Sequence, residues 1–388
     1  MNGLYIESGF TSVNKYTEEL CGDRVETIYH EDTLTVVLAD GLGSGVKANI
    51  LSTLTSKIIG TMMASGMPID ECVATIAQTL PVCSQRQVAY STFTILQVNK
   101  NGDTYIAQFD NPAVIYLHEG KITEYETTEK EICGKKIKET HMRSSVGDIF
   151  VLMSDGAIHA GIGMTLNYGW QLENIAAFAE EKYAPDLSAK MMSALICGAC
   201  NELYMDKPGD DTTIAALKIR EKQPVNLIIG PPVNPEDDQK VMDLFFGSEG
   251  QKIVCGGTTS SIVSRYLDRP VNTNLDYIDP TLPPTGSIEG VDLVTEGVLT
   301  LGRVLEIARQ YGSTDFYTSW RNKKDGASLI CKYLFEDATE VHFFVGRAKN
   351  PAHQNPALPL DLSLKLKLIE DLAENLRKMG KRVTMDFF

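Results

Sequence analysis

The chain has 388 residues, of which 43% are hydrophobic and 22% charged, and its formal net charge is −15. This composition is ordinary for a globular protein of two domains, and the negative charge argues against nonspecific binding to nucleic acid or anionic membranes. No apolar run reaches the length of a membrane span, and the first eleven residues lack a basic segment followed by an apolar core. We therefore expect no membrane segment, no secretion signal and a cytoplasmic location.

The eight cysteines are scattered through apolar segments, which is typical of buried thiols in a reducing compartment. Cys197 and Cys200 form a C-x-x-C pair, the spacing of redox pairs and of half a zinc site. They fall in a predicted helix with no second C-x-x-C and no nearby histidine. We interpret them as core cysteines.

In chain order, a short strand at residues 5–10 precedes a Gly22-Asp23 turn and two strands, 25–29 and 33–39. The third strand is an apolar run that ends in Asp40, followed by three glycines that alternate with Leu42 and Ser44. An acid in that position is costly unless something positive lies against it.

Three kinds of ligand site are possible interpretations of this glycine-rich stretch. A dinucleotide fingerprint fails because the third glycine comes one residue early, and a P-loop fails because Lys47 is followed by Ala48. A cation site that uses the Asp40 carboxylate and a backbone carbonyl fits the residues, and so does a tight strand-to-helix turn with no ligand. Both interpretations stay open at this point.

The pattern of a strand bordered by acids recurs twice. The intervening sequence predicts two helices, 46–65 and 69–79, and an antiparallel meander of strands between residues 91 and 117. An apolar strand at 149–153 then runs into Ser154-Asp155-Gly156. After two further helices, 171–182 and 187–205, Asp210 and Asp211 precede a strand at 214–219.

Four acids therefore border strands of one domain: Asp23, Asp40, Asp155 and Asp210, with Asp211 adjacent. They are either four unrelated turns or a cluster that would repel itself unless divalent cations neutralised it. All-oxygen ligands favour Mg²⁺ or Mn²⁺ over Zn²⁺, and two such ions about 4 Å apart can activate water and hold a phosphoryl oxygen.

The order of Gly-Asp, Asp-Gly-x-Gly-x-Gly, Ser-Asp-Gly and Asp-Asp-x-Thr resembles the metal-dependent protein phosphatases. It is most similar to the bacterial stage II sporulation protein E branch, which is related to the type 2C phosphatases. The resemblance covers residues 1–221. It implies a four-layer α-β-β-α sandwich of two antiparallel sheets, and a binuclear Mn²⁺ or Mg²⁺ centre that hydrolyses phosphoserine or phosphothreonine on a protein substrate through metal-activated water.

Carried over residue by residue, the resemblance implies that Asp40 bridges both ions and that the Gly41 carbonyl binds one. Asp155 and Asp210 would hold the other ion. Asp23 would be an outer or direct ligand, and Asp211 is a second candidate beside Asp210.

The sequence departs from the family pattern in two places. The glutamate that usually follows Ser-Asp-Gly is replaced by Ile158-His159-Ala160, and the upstream Leu-Pro-x-Gly segment is missing. His159 is either a proton donor to the leaving group or a residue that packs or caps, and Arg24 is either a phosphate contact or a surface residue. The alternative function is a catalytically weak phosphoprotein-binding or signal-sensing module that keeps the fold.

The resemblance also implies that the two helices after Asp-Gly act as a switch that dimerises or meets a partner, so a homodimer is one expectation. The apolar face of the first helix is broad enough to be mostly core. Its members are Ile50, Leu51, Leu54, Ile58, Ile59, Met62 and Met63.

Residues 222–388 alternate strands and helices, which predicts a three-layer α/β domain with a mainly parallel sheet. We recognise no family in it and expect small-ligand sensing, substrate docking or dimerisation. Residues 256–260 place two glycines and three hydroxyls at a helix start, which suits an anionic ligand or an ordinary Thr or Ser cap. We favour the cap. A proline- and glycine-rich loop is predicted at 277–289.

Overall fold

The computed structural model describes residues 4–80, 91–273, 281–311, 320–321, 323–348 and 362–388. The chain divides into two units, Met1–Glu221 and Lys222–Phe388, called unit 1 and unit 2 below. No helix in these described ranges is both long and apolar enough to cross a membrane.

The elements of unit 1 are β1 (Tyr5–Val13), β2 (Asp23–His30), β3 (Thr33–Asp40), α1 (Gly45–Ala64), α2 (Ile69–Thr79), β4 (Thr92–Asn99), β5 (Asp103–Phe109), β6 (Ile115–His118), β7 (Lys121–Ile122), β8 (Thr128–Ile132), β9 (Lys135–Arg143), β10 (Ile149–Met153), α3 (Asp155–Ile158), α4 (Leu172–Lys182), α5 (Ala189–Leu203) and β11 (Thr212–Arg220).

These strands form two antiparallel sheets. Sheet A has the order β1-β11-β10-β6-β7, and sheet B has the order β2-β3-β4-β5-β9-β8. Helix α1 packs against β2 and β3 of sheet B, while α5 packs against β1 and β11 of sheet A. The four-layer α-β-β-α sandwich expected from the sequence is confirmed.

The alternation of side chains along β3 shows why the layers stack in this way. Val37 is fully buried against the helices on the outer face of sheet B. Its neighbours Val36 and Leu38 point the other way, into a core shared with Phe150 and Leu152 of sheet A. Because both faces of β3 are covered, the strand reads as a continuous apolar run, and burying each large side chain stabilises the fold by about 1.5–3 kcal/mol.

The elements of unit 2 are β12 (Pro224–Ile229), a 3₁₀ turn (Pro235–Asp237), α6 (Asp238–Gly247), β13 (Gln251–Cys255), α7 (Gly257–Leu267), β14 (Asn272–Thr273), β15 (Gly286–Ser287), β16 (Leu293–Thr295), α8 (Val298–Gln310), α9 (Gly326–Cys331), a π-helix (Lys332–Asp337), β17 (Glu340–Val345), α10 (Leu362–Lys378) and β18 (Arg382–Phe387).

The sheet of unit 2 has the order β14-β15-β16-β13-β12-β17-β18. The five strands from β16 to β18 are parallel, as predicted, and α6 and α7 cover one face of the sheet. The short β14 and β15 add an antiparallel edge that the sequence did not predict. Part of the loop predicted at 277–289 lies outside the described residues, and β15 lies in the rest.

The sequence pattern of residues 325–335 predicts one continuous helix, but the helix in the structure changes character half-way. It is α-helical only to Cys331 and then widens into a π-helix, in which the Ala338 N–H donates to the Tyr333 carbonyl at 2.8 Å. The wider turn buries Leu334, Phe335 and Glu336 in succession. A regular α-helix packed along one side does not bury three consecutive residues, so the apolar run misled the assignment.

Candidate active site

The first pair of acids is brought together by the β2–β3 hairpin. Asp23 and Asp40 stand directly opposite each other in the antiparallel register, at the end of the hairpin that is away from its turn. Asp23 is 5% exposed and Asp40 is half-buried. Directly opposed residues on neighbouring strands lie about 5 Å apart, so two carboxylates here must repel unless one is protonated or a cation intervenes.

The glycines beside these acids are required by close backbone approach. A Cβ atom on Gly41 would lie 2.2 Å from the Ala48 carbonyl oxygen, and the Gly41 N–H donates to the Gly22 carbonyl at 3.2 Å. A Cβ atom on Gly22 would lie 2.8 Å from a carboxylate oxygen of Asp211. The Gly-Asp and Asp-Gly pairs therefore let the start of α1 and an acid of the other sheet reach the hairpin.

The second set of acids lies where β10 ends and β11 begins. The Ser154 hydroxyl accepts from the Thr213 N–H at 2.9 Å, which joins the two strands next to Asp155. A Cβ atom on Gly156 would lie 2.2 Å from the Asp211 carbonyl oxygen. Asp155 and the Asp210-Asp211 pair therefore belong to one edge of sheet A.

The electrostatics show that the two sets of acids face each other. Burial raises the pKa of Asp40 to about 9, and the charges of Asp23, Asp155 and Asp210 add to the increase. Burial and then Asp210 raise the pKa of Asp155, and His159 partly offsets them. The structure thus brings Asp23, Asp40, Asp155 and Asp210 together from four separate parts of the sequence.

Buried oxygens without donors mark the inner part of this cluster. Burial raises the pKa of Asp23 to about 7, although the Ser154 and Thr213 hydroxyls lower it. Among the residues that the structure describes, none offers a hydrogen-bond donor of good geometry to either oxygen of Asp23 or to Oδ2 of Asp211. Buried carboxylate oxygens are normally paired, so these three atoms suit an external cation, and hard oxygen ligands fit Mg²⁺ or Mn²⁺. Within the described ranges, no three His, Cys, Asp or Glu side chains are already converged as a metal site.

Lys15 is the cation that faces the cluster, and sequence reasoning missed it. Its Nζ lies 3.9 Å from Oδ1 of Asp210, and its backbone N–H donates to Oδ1 of Asp211 at 3.0 Å. Lys15 lies in an irregular segment between β1 and β2 with no motif around it. The only signal in the sequence was a lysine a few residues before Gly22-Asp23.

The remaining candidate residues are less directly associated with the acid cluster. Arg24 is exposed on β2, and His159 is an exposed residue at the C-terminal end of α3. The capping interpretation of His159 therefore fits the structure, and its role as a proton donor stays a prediction. Cys197 and Cys200 are buried in α5, and burial raises the pKa of Cys197 to about 12. Both are core cysteines, as predicted.

The expected core face of α1 is only partly core. Ile59 and Met63 are buried, but Ile50 and Leu54 are 54% and 42% exposed, and Val46, one turn before Ile50, is 61% exposed. These three residues are spaced by four positions and share one side of the helix. The homodimer expected through these helices stays a prediction.

In unit 2 the predicted Thr or Ser cap of α7 is wrong. Gly256 occupies the cap position, and no side chain caps the helix. The Thr259 hydroxyl instead accepts from the Gly230 N–H at 2.9 Å, and the Ser260 hydroxyl donates to the Gly256 carbonyl at 2.9 Å. The Thr259 hydroxyl thus joins the end of β12 to α7, whereas the Ser260 hydroxyl bonds within the first turn of α7. An anionic ligand here stays a prediction.

A family model for stage II sporulation protein E matches residues 30–220. Unit 1 is similar to this family over those residues. The match includes Asp40, Asp155, Asp210 and Asp211, whereas Asp23 lies just before it. A comparison with curated proteins gives no match.

Three solved structures that resemble the chain are distant from it in sequence. The PP2C phosphatase domain of SpoIIE from Bacillus subtilis, with a fragment of its regulatory domain, is 14% identical; the similarity covers 57% of this chain and 66% of that one, with a TM-score of 0.49. The RsbU and RsbW domains of Rv1364c from Mycobacterium tuberculosis are 16% identical, with coverage of 56% and 63% and a TM-score of 0.43. RsbX in complex with magnesium is 18% identical, with coverage of 55% and 96% and a TM-score of 0.40. The chain thus spans just under two thirds of the first two.

Proposed function

We propose that unit 1 is a metal-dependent phosphatase that hydrolyses phosphoserine or phosphothreonine on a protein. The observation that carries this proposal is the cluster of acids that interact with one another, whose innermost oxygens are buried and have no donor of good geometry among the described residues. The match of residues 30–220 to the stage II sporulation protein E family model supports the same reaction class.

The residues that would hold divalent ions are Asp23, Asp40, Asp155 and Asp210, with Asp211 and the Gly41 carbonyl as further candidates. Two Mn²⁺ or Mg²⁺ ions bound there would supply Lewis-acid activation of water and stabilise charge on the phosphoryl oxygens. The protein keeps these acids in a half-buried site, where electrostatic interactions are stronger than in water.

The chain's own contribution to substrate binding begins with Lys15. Its ammonium group stands at the border of the acid cluster, so it would attract the dianionic phosphoryl group that the acids alone would repel. The buried thiols of Cys197 and Cys200 have no access to a substrate, which fits direct attack by water without a covalent intermediate.

The test is turnover of p-nitrophenyl phosphate by the full chain, with and without Mn²⁺. We expect metal-stimulated turnover that falls at least about a thousandfold in Asp40→Asn, since loss of a bridging carboxylate removes metal-derived stabilisation of several kcal/mol. Asp32→Asn is the matched control, because Asp32 is 69% exposed at the turn end of the same hairpin.

The control should keep wild-type turnover. If neither wild type nor control turns over any phosphate ester with Mn²⁺ or Mg²⁺, the enzyme proposal is wrong. A phosphoprotein-binding or signal-sensing module that keeps the fold would then be favoured.

A further inference from the structure

Two segments that are far apart in the sequence join beside Asp210. The Tyr16 N–H donates to the Pro208 carbonyl at 2.8 Å, and the N–H of the preceding residue, Lys15, donates to the Asp211 carboxylate. Across this junction, the Lys207 Nζ lies 5.7 Å from the centre of the Tyr16 ring. We call Lys15, Tyr16, Met205 and Lys207 the basic rim.

The backbone at the end of α5 is held in an unfavourable conformation that forms one side of this rim. Met205 and Asp206 both have positive φ values, 53° and 59°, although neither is a glycine. The Asp206 N–H donates to the Asn201 carbonyl at 3.0 Å, and the Asn201 amide donates to the Asp206 carboxylate at 2.6 Å. Residues other than glycine rarely adopt this left-handed conformation, so such a pair persists only where the surroundings fix it.

The result of this conformation is an exposed apolar surface next to a positive charge. Met205 is 63% exposed and Tyr16 is 55% exposed, and both flank the lysine at position 207. The Tyr204 hydroxyl donates to the Gly156 carbonyl at 2.8 Å, which ties this segment to the helix that starts at Asp155. The rim is therefore fixed relative to the acid cluster.

The charges of the rim contrast with those of the whole protein. The chain carries a net charge of −15, yet Lys207 stands three positions before Asp210 and the Lys15 Nζ lies 3.9 Å from the Asp210 carboxylate. Acidic neighbours are also present and keep their charge: the Asp206 carboxylate accepts from the Asn201 amide at 2.6 Å, and the Glu18 carboxylate accepts from the Ser44 hydroxyl at 3.2 Å. An anionic ligand would meet lysines on this side of the site.

We propose that the basic rim binds the residues that flank the phosphorylated side chain of the substrate protein. This inference rests on the proposed function and defines its substrate class. Lys15 faces the phosphoryl group, Lys207 binds an acidic side chain of the flanking segment, and Tyr16 and Met205 contact an apolar one. The preferred substrate is thus an exposed phosphorylated segment with acidic and apolar flanks.

The experiment measures binding separately from turnover. A fluorescein-labelled peptide carries a non-hydrolysable phosphonate analogue of phosphoserine, flanked by glutamate and leucine, and its binding to the full chain is followed by anisotropy with Mn²⁺ present. We expect Lys207→Ala to weaken binding about fivefold and Lys207→Glu to weaken it more, as for charges at interface borders. The difference should shrink in high salt, because screening reduces the interaction between exposed charges.

The matched control is Lys136→Ala, which removes another exposed lysine, from the β8–β9 hairpin of the same unit. It should bind the peptide like the wild type. A second peptide, with lysine and glycine flanks, should bind the wild type more weakly than the first and lose little further in Lys207→Ala.

The proposal is overturned if Lys207→Ala and Lys136→Ala bind the first peptide equally, or if the wild type does not distinguish the two peptides. Failure of the enzyme proposal would appear elsewhere, as absent turnover of p-nitrophenyl phosphate by the wild type. A fivefold loss of peptide binding in Lys207→Ala would then still support the rim as a phosphopeptide surface.

Discussion

Buried acids at the two ends of sheet A have opposite surroundings. At the end where β11 finishes, Glu7 is fully buried, and it accepts from Arg220 at 2.7 Å and from the Ala189 N–H at 3.1 Å. Asp148, also at that end, accepts from the Tyr116 hydroxyl at 3.0 Å and lies 2.7 Å from His118. At the other end, where β11 starts, Asp211 keeps a buried oxygen with no donor.

Glu7 and Asp148 therefore show how a buried acid with a purely structural role is accommodated in this sheet. Such an acid receives a cation or several donors from the chain itself, because an unpaired buried charge costs several kcal/mol. Among the described residues, the acids of the candidate site have the charges of Lys15 and His159 and two hydroxyl groups near them, yet three of their buried oxygens have no donor of good geometry. The contrast between the two ends of sheet A indicates that the acids of the candidate site take their partners from outside the chain. Each prediction below concerns one of these two ends.

The largest effect is expected at the paired end. Arg220→Ala should lower the free energy of unfolding of unit 1 by about 3 kcal/mol, because it leaves the Glu7 carboxylate buried without its cation. Urea unfolding followed by Trp170 fluorescence, in a Trp320→Phe background, reports on unit 1. Arg143→Ala removes an exposed arginine from β9 and should change the value by less than about 0.5 kcal/mol. If both substitutions lowered the free energy of unfolding equally, the contrast between the two ends of sheet A would be wrong.

A smaller effect of opposite sign is expected at the acid cluster. In metal-free protein, Asp23→Asn should raise the free energy of unfolding by about 1 kcal/mol at pH 7, because it removes an uncompensated buried charge. The pKa of Asp23 is raised to about 7 in the folded protein, so the unfolded chain ionises it first and the gain should grow as the pH rises from 4 to 7. Mn²⁺ should stabilise the wild type more than the variant. A metal-free variant less stable than the wild type would show that Asp23 has a partner in the chain.

The sequence predicted the acids of the site but not their surroundings. Asp40 and Asp155 each follow an apolar run that is recognisable locally, so their positions at strand ends could be inferred. Lys15 could not, because its contact with Asp210 joins residues nearly two hundred positions apart. The cap of α7 failed for a similar reason, since the Thr259 hydroxyl serves Gly230 on another element. Local sequence patterns predict which residues end a strand or a helix. The hydrogen-bond and ion-pair partners of those residues come from distant parts of the chain, so local patterns do not predict them.

The smallest effect concerns His118 at the paired end. Its hydrogen bond to Asp148, followed by the charge of that carboxylate, raises the pKa of His118 above its ordinary value. The stabilisation is thus fully present below about pH 6.5 and is lost as the pH rises through the raised pKa. The melting temperature of His118→Gln should fall below that of the wild type at pH 5.5 and approach it at pH 9. A difference that does not depend on pH would mean that the charge of His118 contributes nothing.

The most direct test of the central claim is Mn²⁺ binding to the full chain, measured by isothermal titration calorimetry without substrate. We predict two bound ions in the wild type and in Asp32→Asn, and loss of tight binding in Asp40→Asn. If wild type and Asp40→Asn take up the metal identically, or if neither binds any, the orphaned carboxylates do not form a metal centre and the proposed function is contradicted.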